Sequence, residues 1–407
     1  MLRAELTAAG LVPPTYGPDS LAAVLPAAAG ALGADFTSGT GLTAAGCAAA
    51  FDLPRSERVL VLLCDGLGLE NLAANQGHAP FLRRRLSEVR PLTSSFPSTT
   101  AAALATFGTA TGPGLTGLVG YTQRVPATGA LANMVSWTEQ ARPTEVTDQD
   151  KQRHAPPLAT DPRELQREPT VFEALTAAGV PVTSLGRARF AGSGMTQAAL
   201  RGGSFVGVET LEERVATTAR ELRRNPGLAY LYWGELDKTG HGHGPGSQAW
   251  LGRLEQFDAA LGALLRAVPK GTLVLLTADH GQVAVDPYAQ VDVAAEPSLR
   301  EGVDLIAGEP RAIHIYTREP EAVAARWRYR LGAAAVVASR GEAIRAGLFG
   351  PVAPHVEAWL GDLVAITRGA TTIVDSRTQT KASLTLKGVH GSLTPTEMTV
   401  PLLPLTT

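Results

Sequence analysis

The chain has 407 residues, 44% of them hydrophobic and 18% charged, with a formal net charge of -2 at pH 7. That length allows a large core and exceeds one typical domain, so a large domain with an insertion, or two unequal domains, is expected. The near-neutral balance argues against a nucleic-acid polymer or an anionic membrane surface as partner, and no apolar run of about 18 residues suggests a transmembrane helix.

Only two cysteines are present, and Cys64 lies inside an apolar run, so no disulfide framework is expected. Pro13, Pro14 and Pro26 interrupt any signal-peptide core near the N-terminus, and a cytoplasmic location is the resulting expectation. The sequence fixes no oligomeric state.

Residues 1–56 read as an irregular, alanine-rich leader holding one helix at 20–32. Residues 58–66 form an apolar run closed by Asp65 and Gly66, the pattern of a fully buried parallel strand with an acid at its mouth. A helix over 68–86 should follow. In residues 92–106 a proline-ended extended piece precedes a hydroxyl cluster and an alanine-rich helical pattern, which places Thr99 and Thr100 at a helix N-terminus. Free N–H groups and the positive dipole end suit a phosphate there, although a plain N-cap has the same signature.

Residues 108–137, rich in glycine and threonine, read as a long loop, and 138–168 as a charged surface excursion with His154 in solvent. A helix at 170–180 and a strand at 180–185 continue the βα alternation; 190–205 reads as a loop. The helix at 209–224 should bury Leu211, Val215, Ala219 and Leu222, and the strand at 228–236 should end at Asp237. Asp237 and His241, four apart among glycines, can meet on one turn as oxygen and nitrogen donors suited to zinc.

After a helix at 254–268, the run 271–277 delivers Asp279 and His280 to a strand end. Residues 300–367 look like a small α/β insertion over that edge, with His314 and His355 structural. His390 stands between glycines, and the tail beyond it rejoins the main sheet. The fold class is therefore α/β: a three-layer sandwich around a mostly parallel sheet, with 1–299 and 368–407 as the catalytic domain and 300–367 as a cap.

Asp65, Asp237, His241, Asp279, His280 and His390 thus come from separate strand or loop ends. Six such donors suffice for two ions with three protein ligands each, leaving positions for an oxygen nucleophile and a substrate.

With these residues the chain resembles the alkaline phosphatase superfamily and, within it, the nucleotide pyrophosphatase/phosphodiesterase branch. The motifs are Cys64-Asp65-Gly66, Phe96-Pro97-Ser98-Thr99-Thr100, Asp237-x-x-Gly240-His241-x-x-Gly244-Pro245, Ala278-Asp279-His280-Gly281 and His390-Gly391 with Glu397-Met398-x-Val400-Pro401. The resemblance implies one zinc on Asp237, His241 and His390, and a second on Asp65, Asp279, His280 and the nucleophilic threonine; manganese or iron are the other ions such donors accept.

An ungapped match counted from Gly117 puts the nucleophile at Thr100, with Thr99 the second choice and Ser95 matching only across an insertion. Family members carry Asn near position 121, where this chain has Tyr121, so Tyr121 and Asn133 are the candidates for the substrate contact. His243 is either a substrate group or an exposed loop histidine.

The implied activity is two-metal hydrolysis of phosphate diesters or nucleotide pyrophosphates through a phosphothreonine, on a small phosphate-ester or nucleotide substrate. Phosphonoacetate-type phosphonate hydrolysis, monoester hydrolysis and a non-catalytic, metal-stabilised binding module are the alternatives. The lack of a Cys-x-Pro-x-Arg nucleophile motif argues against a sulfatase.

Overall fold

The computed structural model describes residues 1–140 and 157–407; His154 and the middle of the 138–168 excursion lie outside the described residues. Seven strands form the central sheet, in the order Arg90–Thr93, Thr399–Thr406, Leu273–Thr277, Val59–Cys64, Leu228–Trp233, Val182–Gly186 and Ser204–Gly207. Every pairing is parallel except the two made by Thr399–Thr406, the tail that rejoins the sheet.

Val59–Cys64 and Leu273–Thr277 are buried at every position, which is why both read as unbroken apolar runs and not as alternating patterns. One helical group packed on the sheet contains Val24–Leu32, Thr100–Thr109 and Val171–Ala177; another contains Leu211–Arg224 and Gln248–Ala267. The carboxyl ends of the parallel strands, where ligands of such sheets gather, collect the polar motifs.

Several local expectations are corrected. Residues 1–56 are built into the core: helices Leu2–Ala8 and Ala44–Ala50 join Val24–Leu32, and Leu6, Leu21 and Leu25 are fully buried. Alanine and glycine let these helices approach closely; a Cβ on Gly30 would stand 2.3 Å from the Ala44 carbonyl oxygen. The helix over 68–86 is broken into Leu69–Ala74 and Pro80–Arg83 with 3₁₀ turns, because Gly77 and Pro80 interrupt it.

Residues 108–137 are not simply a loop: strands Thr122–Arg124, Leu131–Asn133 and Thr138–Gln140 make an antiparallel meander. Residues 190–205 hold helix Gly194–Ala199 and reach the edge strand Ser204–Gly207. Leu211–Arg224, fixed by a Thr210–Glu213 capping box, turns Arg214, Thr217, Thr218, Ala219 and Leu222 inward, while Leu211 and Val215 are only half-buried.

A second, antiparallel sheet runs Val303–Glu309, Ala312–Thr317, Leu363–Thr367, Ala335–Ser339. Its own apolar core includes Ile315, Val323, Trp327 and Leu363 and extends to Val293 and Ile373, beyond both ends of the 300–367 stretch. A fully buried ion pair ties it to the main domain: Arg311 Nη2 donates to Glu397 Oε2 at 2.8 Å and Nε to Oε1 at 3.1 Å. Cys47 and Cys64 are buried and free. Among the described residues no helix is long and apolar enough to cross a membrane.

Candidate active site

Strand Val59–Cys64 ends at Asp65, and Gly66 turns the chain away in the left-handed region (φ 76°), where a side chain would be strained. Next to it, Leu273–Thr277 leads to Asp279, whose Oδ1 accepts the N–H of Gly66 at 3.2 Å and of His280 at 3.0 Å. The two mouths are thereby tied together.

Leu228–Trp233 stops earlier than expected, and helix Glu235–His243 follows. Asp237 and His241 therefore occupy one helical face at i and i+4, with His241 Nε2 3.4 Å from Asp237 Oδ2. His390 follows the short strand Gly388–Val389, and its Nε2 lies 3.8 Å from Asp237 Oδ1.

His280 is central. Its Nε2 stands 3.6 Å from Asp65 Oδ1, 3.5 Å from Asp279 Oδ2 and 3.2 Å from Thr100 Oγ1, and its ring stacks on His390 with centroids 3.6 Å apart. Two groups of donor atoms fall within 4.8 Å of one another: Asp65, Asp279 and His280, which is one of the implied sets, and Asp237, His280 and His390. The latter differs from the implied set in containing His280 where His241 was expected; His241 stays at the side of Asp237.

The donors fit a pair of cations. Asp65 Oδ1 and Asp279 Oδ2 are buried without a hydrogen-bond partner among the described residues. All three histidines engage Nδ1 with a backbone carbonyl: His241 with Gly388 at 2.8 Å, His390 with Ser98 at 2.8 Å and His280 with Gly281 at 3.2 Å. Donation from Nδ1 fixes the tautomer that leaves each Nε2 lone pair free, the usual support for a metal-ligating histidine.

The electrostatics agree. Burial, then the neighbouring charges of Asp237 and Asp279, pushes the Asp65 carboxyl well above its usual range. Burial likewise raises Asp237 and Asp279. It lowers His280 and, with His280 and His241 adding to it, drives His390 well below the ordinary imidazole value. Three carboxylates held together out of water repel one another, and divalent ions relieve that repulsion.

Thr100 is the first residue of helix Thr100–Thr109, and Thr99 its N-cap. The Ser95 hydroxyl donates to the Pro97 carbonyl at 2.9 Å, Thr99 stands beside Glu309, and Thr100 is the candidate whose hydroxyl lies 3.2 Å from His280 Nε2. All the donors except the deeply buried Asp279 and His280 line one cavity of about 610 Å³, together with Thr99, Thr100, Tyr121 and Asn133. Asn133 Oδ1 is committed to its own turn, accepting from Val135 and Ser136 at 3.0 Å. His243 is exposed and does not line the cavity: two residues beyond His241, it points about 200° around the helix.

Sequence reasoning missed three supporting side chains. Tyr232 donates its hydroxyl to Asp65 Oδ2, and Gln282 Nε2 donates to Asp237 Oδ1 at 2.5 Å. Glu309, at the end of a strand of the second sheet, reaches across to the loop after helix Thr100–Thr109 and accepts the Tyr121 N–H at 2.9 Å. Gln282 directly follows the Asp-His-Gly motif and could have been suspected; Glu309 carries no local signal. Gly391 (φ 131°) makes room for it, since a Cβ there would stand 2.2 Å from Glu309 Cγ.

A phosphopentomutase of Anaeromyxobacter dehalogenans is 34% identical over 145 residues, 35% of this chain, and the match spans only 33% of that relative's length. Murine ectonucleotide pyrophosphatase/phosphodiesterase 5, as an inactive threonine-to-alanine variant in complex with AMP, superposes with TM-score 0.64 at 17% identity, covering 85% of this chain and 87% of that one. Phosphonoacetate hydrolase of Sinorhizobium meliloti, in complex with phosphonoacetate, gives TM-score 0.62 at 20% identity, covering 86% and 90%. These neighbours have the alkaline phosphatase-like fold that the sequence resemblance implied. Residues 59–393 match the family model of type I phosphodiesterase / nucleotide pyrophosphatase, and the chain belongs to that family.

Proposed function

We propose that the protein is a two-zinc hydrolase of phosphate diesters or nucleotide pyrophosphates working through a phosphothreonine intermediate. The observation that carries this reading is Thr100 Oγ1, at a helix N-terminus and 3.2 Å from His280 Nε2, beside two groups of buried acid and imidazole donors.

Asp65, Asp279 and His280 would hold one ion, and Asp237, His390 and His241 the other. When bound, the ions supply Lewis acidity that lowers the pKa of a hydroxyl and neutralises charge on phosphorus-bound oxygens. The chain supplies position. Thr100 Oγ attacks phosphorus in line, forming the P–O bond of a threonine ester as the bond to the leaving oxygen breaks; the hydroxyl proton goes to solvent and the leaving oxygen takes one up. Unpaired N–H groups of the helix start receive a non-bridging oxygen. Water then attacks phosphorus from the vacated side as the bond from phosphorus to Thr100 Oγ breaks; the water gives up a proton and Oγ takes one up, which restores the threonine hydroxyl and frees the phosphate product.

Phosphonate hydrolysis is the second reading, supported by a fold likeness to phosphonoacetate hydrolase almost equal to that with the pyrophosphatase. Parallel assays of bis(p-nitrophenyl) phosphate, p-nitrophenyl phosphate and phosphonoacetate, with metal analysis of the purified protein, separate these. Preference for the diester by tenfold or more is expected with two zinc ions per chain. A monoester or phosphonoacetate preference of that size overturns the substrate assignment, and manganese or iron in the protein overturns the metal.

A further inference from the structure

One wall of the cavity is cationic for a reason the reaction centre does not explain. Arg187 follows strand Val182–Gly186, and Glu235 follows Leu228–Trp233, so both stand at the carboxyl edge of the same sheet as the acid and imidazole donors. Arg187 Nη2 donates to Glu235 Oε1 at 2.9 Å. Arg214, 3% exposed at its side chain, donates to the same carboxylate through both Nη atoms at 2.9 and 2.8 Å. Burial alone would raise the Glu235 carboxyl, but hydrogen bonds from Arg214 and Arg187 outweigh it and hold the group below its usual range.

Two guanidinium groups thus share one carboxylate, which leaves one positive charge in a corner where Arg214 is buried and Arg187 half-buried. The buried Nε of Arg214 has no hydrogen-bond partner, and Arg187 keeps Nη1 and Nε free among the described residues. Glu235 holds Arg187 in place without satisfying it. Arg189 and Lys238, both exposed and without a carboxylate partner among the described residues, line the same cavity. Adjacent strands are about 5 Å apart, so Arg187 lies about 5 Å along the edge from the Leu228–Trp233 mouth and about 10 Å from that of Val59–Cys64. Arg187 thus stands one and two strands from the mouths that carry the donors, on the same sheet edge and in the same cavity.

We infer that Arg187, oriented by the Glu235–Arg214 pair and assisted by Arg189 and Lys238, binds a second anionic group of the substrate, a phosphate or a carboxylate. The inference rests on the phosphoryl-transfer reading and narrows its substrate class: the preferred substrates carry two separated negative groups. A guanidinium with free donors in a fixed orientation is the side chain best matched to a planar or tetrahedral oxyanion.

The test compares bis(p-nitrophenyl) phosphate, which has no second anionic group, with ADP, which has a second phosphate, and phosphonoacetate, which has a carboxylate. Whichever of the last two the wild type hydrolyses identifies the anion. For that substrate, Arg187→Ala is expected to raise KM tenfold or more with kcat changed less than threefold, and Arg187→Lys to recover part of the loss. On bis(p-nitrophenyl) phosphate, kcat/KM should fall less than threefold in both variants. Equal losses on the two kinds of substrate would overturn the inference and make Arg187 a support for the Asp237 helix, as would an unchanged KM. Wild-type turnover of bis(p-nitrophenyl) phosphate alone also overturns it while leaving the phosphoryl-transfer reading intact; turnover of none of the three removes both.

Discussion

The Oγ1 of Thr100 and the Nε2 of His280 lie 3.2 Å apart, although 180 residues separate them in the chain. No hydrogen bond to His280 is made by Thr99 or Ser95 among the described residues, and the Ser95 hydroxyl donates to the Pro97 carbonyl. Thr100→Ala should therefore lower kcat by about a thousandfold or more while bound-metal content stays at the wild-type value. Thr99→Val should retain measurable turnover. Metal analysis and initial rates on the same preparations check both; substantial activity in Thr100→Ala would transfer the nucleophile to Thr99 or remove the covalent mechanism, which the non-catalytic reading also requires.

The clustered carboxylates, Asp65 and Asp279 buried and Asp237 half-buried, make the metal-free protein sensitive to pH. Asp65 has its pKa raised in the fold, so its contribution to metal-free stability is present below its unfolded value and is lost as pH rises through the folded one. At neutral pH the metal-free fold bears that cost. Asp65→Asn should raise the Tm of chelator-treated protein at pH 7.5, with no gain near pH 4. Zinc should raise the wild-type Tm at pH 7.5 and much less at pH 5, where protons compete for the same donors, and the Asn variant should respond weakly at either. Calorimetry across pH, with and without chelator, reads all of these; a destabilised metal-free variant at neutral pH would contradict the repulsion argument.

The parallel strands were legible because burial on both faces leaves continuous apolar runs, and some strand ends carried an acid within two residues of the run. Val59–Cys64 with Asp65 and Leu273–Thr277 with Asp279 are the clearest cases. What stayed hidden depends on contacts far apart in sequence. The alanine-rich segment before residue 56 has little periodic contrast, so beyond the helix read at 20–32 its helices Leu2–Ala8 and Ala44–Ala50 were invisible, although Leu6 and Cys47 are buried. Val303–Glu309 is broken up by Asp304 and Gly308, so neither the strand nor the reach of Glu309 to Tyr121, 188 positions away, could be read. The Asp237–His241 face was anticipated as a turn, and helix Glu235–His243 supplies the same i, i+4 relation more rigidly.

Glu309 joins the second sheet to the nucleophile region through a carboxyl whose Oε1 is buried and without a partner. Burial pushes its pKa well above the usual range, against the opposing effect of the Tyr121 N–H and the Thr99 hydroxyl. Its stabilising contribution is accordingly present below the unfolded value and lost as pH rises. Glu309→Gln keeps an acceptor for Tyr121 and cannot ionise, so it should be more stable than wild type at pH 8 and similar at pH 4.5. Glu309→Ala leaves the Tyr121 N–H unpaired and should cost about 1–3 kcal/mol. Urea denaturation of the three proteins at the two pH values distinguishes them, and a Gln variant as weak as Ala at pH 8 would show that the charged carboxylate is what holds the contact.

His314 offers a titration clear of the donor cluster. In the strand Ala312–Thr317, its Nε2–H donates to the Val119 carbonyl at 2.8 Å and its Nδ1 accepts the Gly361 N–H at 3.1 Å, an arrangement that only the neutral ring can make. Burial lowers its pKa to about 4, with the Arg340 charge adding to burial and the Val119 carbonyl opposing it. An unfolded histidine titrates near ~6.5, so the fold binds the proton less tightly than the unfolded chain does. The stability His314 contributes is complete above pH ~6.5 and is lost as pH falls toward about 4, amounting to about 3 kcal/mol over that window. Gln in its place can donate and accept but cannot take up a proton. The stability difference between wild type and His314→Gln should therefore shrink by about that amount between pH 7 and pH 4. Measuring the difference, and not either protein alone, cancels the titration of the acid and imidazole donors; a gap that stays constant across the range would mean that the ring is protonated in the fold or exchanges its partners on titration.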